Sequence, residues 1–106
     1  MSDYRTRLTT AATGVIKEKL ALVEYSGSKS ITLSVSFARR RQDSGGTQQI
    51  IEEDIIPIRF WASGAEIIND LATVGQHIYI EAEIRQKGNR LELKAKHFEL
   101  LGEGKV

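Results

Sequence analysis

Trp61 and Arg59 stand two residues apart in a stretch that alternates apolar and polar residues, so both leave the same side of their strand. An indole face beside a guanidinium offers a surface on which a planar base can stack while a phosphate is neutralised. Stacking of one base on an aromatic ring contributes roughly 1–3 kcal/mol, so even a single contact of this kind matters. The competing reading is that Trp61 covers a core edge or an oligomer contact, because Trp is enriched at interfaces. Arg39, Arg40 and Arg41 form a second basic element. Three adjacent arginines on a strand point in several directions, so they serve either phosphate contact or protection of a sheet edge. Arg85, Lys87 and Arg90 form a third cluster around Lys87-Gly88-Asn89.

Residues suited to bond-making chemistry are sparse. The chain has no cysteine, which removes disulfides, thiolate metal sites and thiol nucleophiles together. His77 and His97 lie far apart in sequence, and the phase of His97 is inward, where a hydrogen-bonded structural histidine is expected. Glu52-Glu53-Asp54 has the donor type for a hard cation, but a solvated, edge-protecting acidic run is the more ordinary reading. Phosphate-cradling glycine loops and nucleophile elbows are absent from the sequence. No catalytic residue, metal site or cofactor is expected, and the chain is read as a non-enzyme.

The elements that must carry these residues alternate with period two, the signature of half-buried strands. Ile31, Leu33, Val35 and Phe37 oppose Thr32, Ser34 and Ser36, and Ile56, Ile58 and Phe60 oppose Pro57, Arg59 and Trp61. Ile78, Ile80, Ala82 and Ile84 oppose Tyr79, Glu81, Glu83 and Arg85. In the last strand Leu91, Leu93, Ala95 and His97 oppose Glu92, Lys94, Lys96 and Phe98. Residues 5–25 read as one long curved strand kinked at Gly14. Ser26-Gly27-Ser28-Lys29 makes the first turn, residues 42–49 a mobile polar loop, and Lys87-Gly88-Asn89 a tight hairpin. Between the third and fourth strands, Ser63 and Glu66 have the spacing of a capping box, followed by Ile67, Ile68, Leu71 and Val74 at helical spacing and a terminating Gly75. Five strands with one short helix between strands three and four is the layout of the OB-fold, an all-β Greek-key barrel. Phe37, Ile58, Phe60, Ile80, Ile84 and Leu93 are expected in its core. In that fold the face of strands two and three and the adjoining loops take the ligand, and Trp61 and all three basic clusters fall on those elements.

At 106 residues the chain fits a single domain spanning 1–106, with mobile termini expected at residues 1–4 and 103–106. Its net charge is only +1, so affinity for a polyanion must come from a local patch. No apolar run approaches the ~20 residues that cross a bilayer, and the opening Met1-Ser2-Asp3-Tyr4-Arg5 lacks the apolar stretch of a secretion signal. A cytoplasmic location without membrane attachment is expected, or the plastid stroma if the protein is organellar.

The stretch Ile58-Arg59-Phe60-Trp61-Ala62-Ser63-Gly64-Ala65-Glu66 resembles the third-strand-to-helix segment of the bacterial-type single-stranded DNA-binding proteins. Residues 74–85, Val-Gly-Gln-His-Ile-Tyr-Ile-Glu-Ala-Glu-Ile-Arg, are similar to that family's Lys-Gly-x-x-Val-Tyr-Val-Glu-Gly-x-Leu-Arg strand. Ile31-Thr32-Leu33-Ser34-Val35 and Phe98-Glu99-Leu100-Leu101-Gly102 extend the resemblance over residues 10–102. By position, the resemblance implies that Trp61 stacks on bases, that Arg40 and Arg85 are basic contacts, and that Tyr25 is the tyrosine beside the first turn. Ile55 and Arg39 stand where the family has stacking tryptophans, the last hairpin is short with Asn89 near its usual aromatic, and no linker with an acidic tip precedes Val106. These features are similar to the short cyanobacterial and plastid single-strand-binding-like branch. The expected function is sequence-tolerant binding of single-stranded DNA by a homo-dimer or tetramer. The alternative is a primosome-type protein-interaction module with weak or no nucleic-acid binding, and RNA is a further candidate ligand because charge and stacking do not distinguish the sugars.

Overall fold

The computed structural model describes residues 8–42, 45–46 and 49–103, with backbone alone at residues 25, 40–42, 49–50 and 103. The expectations for a mobile loop at 42–49 and mobile termini fall largely outside these residues. Six strands and one helix follow in order: β1 (Thr9–Lys19), β2 (Val23–Tyr25), β3 (Ser28–Gln42), β4 (Gln49–Trp61), α1 (Ala62–Leu71), β5 (Gln76–Lys87) and β6 (Arg90–Glu103). The sheet runs β1-β5-β6-β4-β3-β2 and closes through an additional β1–β3 pairing, which is the five-stranded OB-fold barrel with β2 appended.

Two seams close the barrel. At the first, β1 leaves β5 and joins β3, and Val15 is paired with both His77 and Ser36. Gly14 sits at this crossing because a side chain would not fit: a Cβ there would lie 2.6 Å from the Ser36 carbonyl oxygen and 2.6 Å from Val35 Cγ1. The expected kink at Gly14 is thus a close backbone approach, and the irregularity in register falls beyond it, between Ile16 and Glu18. At the second seam β4 and β6 pair in parallel over a short length, Ile58 with Leu93 and Arg59 with Lys94.

The first expected strand is divided. Residues 20–22 leave the ladder, and β2 forms a hairpin with β3 through Ser26 (φ 50°) and Gly27 (φ 82°), the double positive φ of a type I′ turn. The last hairpin closes through Gly88 (φ 64°) and Asn89, with Lys87 opposite Arg90.

The helix also departs from expectation. Its N-cap position is Trp61, which makes no side-chain capping bond, and Ala62 (φ 56°) takes the left-handed turn that leads into the first helical turn. Ser63 is therefore inside the helix, and Glu66 reaches away from the helix start to Lys29 Nζ at 2.6 Å, which raises the Lys29 pKa. The far end is tied down by Lys19, whose ammonium donates to the carbonyls of Asn69 (2.7 Å) and Ala72 (2.8 Å), the favourable place for a cation on a helix. Gly75 (φ 94°) turns the chain three residues after the helix C-cap and donates its N–H to the Ile16 carbonyl.

Alternating residues of β3, β4 and β5 fill the core: Ile31, Leu33, Val35, Ile58, Phe60, Ile78, Ile80 and Ala82, joined by Ile16 of β1 and Ala65 and Ile68 of α1. Phe37 and Leu93 pack against this cluster, while Ile84 is half-buried outside it. The phase of β6 is corrected by a bulge. Glu81 pairs with His97 but Ala82 pairs with Ala95, so Lys96 is the extra residue. A one-residue insertion exchanges the faces of everything beyond it. Hence Phe98 turns inward and meets Phe60 edge-on at 5.2 Å, and His97, expected inward, is exposed.

Gly14→Ala should lower stability by about 1–3 kcal/mol, the range for overpacking a tight site, measured as a lower urea midpoint. Adjacent residues on opposite faces should differ as sharply: Phe60→Ala should cost about 3–5 kcal/mol, and half-buried Trp61→Ala about 1 kcal/mol.

Candidate nucleic-acid interface

On the outer side of β4 stand Pro57, Arg59 and Trp61, and the β3 register sets a small hydroxyl residue beside each: Ser34, Thr32 and Ser30. These short side chains leave a hollow of about 520 Å³ over the sheet, walled by Leu20, Val23, Arg59, Trp61 and Lys87. A second hollow of about 420 Å³ continues it toward the β5–β6 hairpin, walled by Pro57, Arg59, Lys87, Arg90 and Leu91. Thr32, Arg59 and Lys87 belong to both, so the two form one groove across β3 and β4 from residues 20–23 to the hairpin.

Arg59 is the centre of this groove. Its guanidinium carbon lies 5.6 Å from the centroid of the Trp61 ring, within cation–π range. Its Nη1 lies 3.6 Å from Glu92 Oε2, and Lys87 Nζ is 3.9 Å from the same oxygen. Trp61 also forms a wall of a further hollow on its other side, between α1 and β6, with Ser63, Ile67, Lys96 and His97. The ring is therefore half-buried at its edges and open to the groove.

The basic residues singled out in the sequence separate into groups. Arg59, Trp61, Lys87 and Arg90 line the one groove. Arg85 lies at its margin, sharing a small hollow with Lys87 and Glu92, and its Nε is 3.6 Å from Glu83. Arg39 lies elsewhere, on the part of the β3–β4 ribbon that continues beyond the barrel. Its guanidinium is held by Glu52 (2.9 Å) and Asp54 (3.3 Å), so these two carboxylates of the acidic run have a guanidinium as their neighbour. The backbones of Tyr25, Arg40 and Arg41 run in β2 and β3, and their side chains lie outside the described residues.

Sequence reasoning did not single out Ser30, Thr32 or Glu92. The two hydroxyl residues were legible from the alternation of their strand, opposite Trp61 and Arg59. Glu92 was not, because its approach to Arg59 depends on the parallel β4–β6 seam. On the far part of the β5–β6 surface, the Tyr79 hydroxyl donates to Glu81 at 2.7 Å, which raises the Tyr79 pKa, and the His97 ring lies 6.4 Å from the Tyr79 ring. That surface presents carboxylates rather than a polyanion site.

No family model matches the chain, and no curated protein matches its sequence. Solved structures do. A deletion mutant of the single-stranded DNA binding protein from Thermus aquaticus superposes with a TM-score of 0.75 at 18% identity, over 88% of this chain and 49% of that one, so the chain spans about half its length. The single-stranded DNA-binding protein of Plasmodium falciparum in complex with single-stranded DNA gives 0.73 at 12% identity, over 96% and 98%. The protein PriB from Ralstonia solanacearum gives 0.72 at 11% identity, over 91% and 98%. What this chain has in common with these proteins is the fold: it is an OB-fold barrel.

Proposed function

We propose that this chain binds single-stranded nucleic acid, DNA ahead of RNA, without catalysis and with little sequence preference. The observation that carries this reading is the Trp61–Arg59 pair lying in an open groove whose far wall is the Lys87–Arg90 hairpin. In an OB-fold this side of the barrel takes oligonucleotides. Stacking and backbone charge act on any base, which makes the binding tolerant of sequence. The likeness to a Plasmodium falciparum protein solved with single-stranded DNA supports DNA as the ligand. Arg85 borders the groove in this proposal, and Arg40, Arg41 and Tyr25 are proposed as further contacts from β3 and β2. Arg39 contributes less, since two carboxylates already hold it.

The active form is proposed to be a homo-oligomer, a dimer or tetramer. The N-terminal half of β1 pairs with β5 alone among the described residues, and an uncovered strand edge is a template for a second copy. A second reading, a protein-interaction module, is favoured by Ile67, Leu71 and Val74, which stand exposed at helical spacing along α1 and its exit.

Trp61 is the single Trp, so its emission reports on this one place, at the edge of the groove. Titration with oligo-dT should quench it to saturation, and Trp61→Ala should weaken binding by roughly 1–3 kcal/mol, Trp61→Phe by less. The logarithm of the affinity should fall with log salt at about −0.7 per phosphate engaged. Arg59→Ala with Arg90→Ala should flatten that slope, and Arg39→Ala should change it little. Unquenched emission and unaltered affinity across these variants would sink the stacking reading and favour the protein-interaction one.

A further inference from the structure

Glu92 faces a groove whose other ionic residues are cationic. Its carboxylate is within 4 Å of both Arg59 and Lys87, the two cations that belong to both halves of the groove. It is also the least exposed of the three, with 26% of its side chain accessible against 38% for Arg59 and 73% for Lys87. A carboxylate seated deeper than its cations occupies the place where an anionic ligand would lie. Its position is set by the backbone on both sides: Glu92 is directly opposite Arg85 on β5, one residue before Leu93, which pairs with Ile58 at the parallel seam.

We propose that Glu92 is a built-in substitute for the ligand's phosphate, one that an incoming strand must displace from Arg59 and Lys87. This rests on the strand-binding reading above. Two physical consequences follow. First, Glu92 holds Arg59 over the Trp61 ring in the free protein, so the stacking platform is formed before a base arrives. Second, exchange of one carboxylate for one phosphate gains little, because the cations have a partner in both states. A net gain requires further phosphates that reach Arg90 and the flanking basic residues together with a base on Trp61. The groove therefore selects a connected strand over a single nucleotide or free phosphate. Exposed ion pairs of this geometry are individually weak, so the substitute is displaceable.

The test uses the full chain and oligo-dT. Glu92→Gln keeps the shape and removes the charge, and Glu92→Thr provides a second, strand-compatible replacement. Both should bind oligo-dT about two- to five-fold more tightly, the scale of one exposed ion pair. Their salt slopes should steepen by about 0.7, as one more phosphate is neutralised without an internal competitor. Thymidine monophosphate should bind the unaltered protein weakly and should gain at least as much. Glu99→Gln makes the same change of net charge roughly 20 Å further along β6 and should leave affinity and slope unchanged. If the unaltered chain binds and the Glu92 variants bind no more tightly, or if Glu99→Gln tightens binding equally, the inference is overturned while strand binding stands. If neither the unaltered chain nor any variant binds oligo-dT, strand binding fails and the inference falls with it.

Discussion

Closure of a five-stranded sheet requires one strand to serve two neighbours, and here that strand is β1. It can pass from β5 to β3 only if two backbones come closer than any Cβ allows, and this is the physical role of Gly14. The crossing sets Ser36 almost entirely out of solvent and brings Ile16 into the core. Without it the sheet would remain open, and the apolar faces of β3, β4 and β5 would lose part of their cover. The core is small, built mostly from β-branched side chains on alternating strand positions, so closure and burial depend on each other.

The second seam has a more local consequence. A short parallel pairing of β4 with β6 brings the base of the last hairpin beside the centre of β4. Arg59 acquires two neighbours from this arrangement, the Trp61 ring along its own strand and Glu92 across the seam. The β5–β6 hairpin then rises as one wall of the groove while residues 20–23 form the other. The break between β1 and β2 matters for the same reason, since residues 20–22 leave the ladder there and Leu20 forms that wall together with Val23 at the start of β2.

Charge on this surface is balanced rather than massed, in keeping with a net charge of +1. Arg39, Arg59, Arg85 and Lys87 each have a carboxylate within 4 Å. A paired, solvent-facing cation is inexpensive to keep and inexpensive to redirect, because exposed ion pairs contribute at most about 1 kcal/mol. A groove lined by such pairs has modest attraction for isolated anions and gains from ligands that replace several partners at once.

The spacing of apolar residues was enough to determine β3, β4 and β5 with their core face, the helix between the third and fourth long strands, and the outward pairing of Arg59 with Trp61. These are properties of neighbours two or four residues apart, and a linear pattern records them directly. The tertiary structure decided the rest. The phase of the last strand reverses at Lys96 because the curvature of the closed sheet is absorbed there by a bulge, which exchanged the places of His97 and Phe98. The helix begins at Ala62 rather than after Ser63 because the tight turn out of β4, not a capping side chain, sets its start, and Glu66 is drawn to Lys29 from another element. Arg39 and Arg59 look alike in the sequence, yet one is clamped on the outer ribbon and the other lies at the centre of the groove. That difference arises from contacts between strands distant in sequence, which no local pattern of residues encodes.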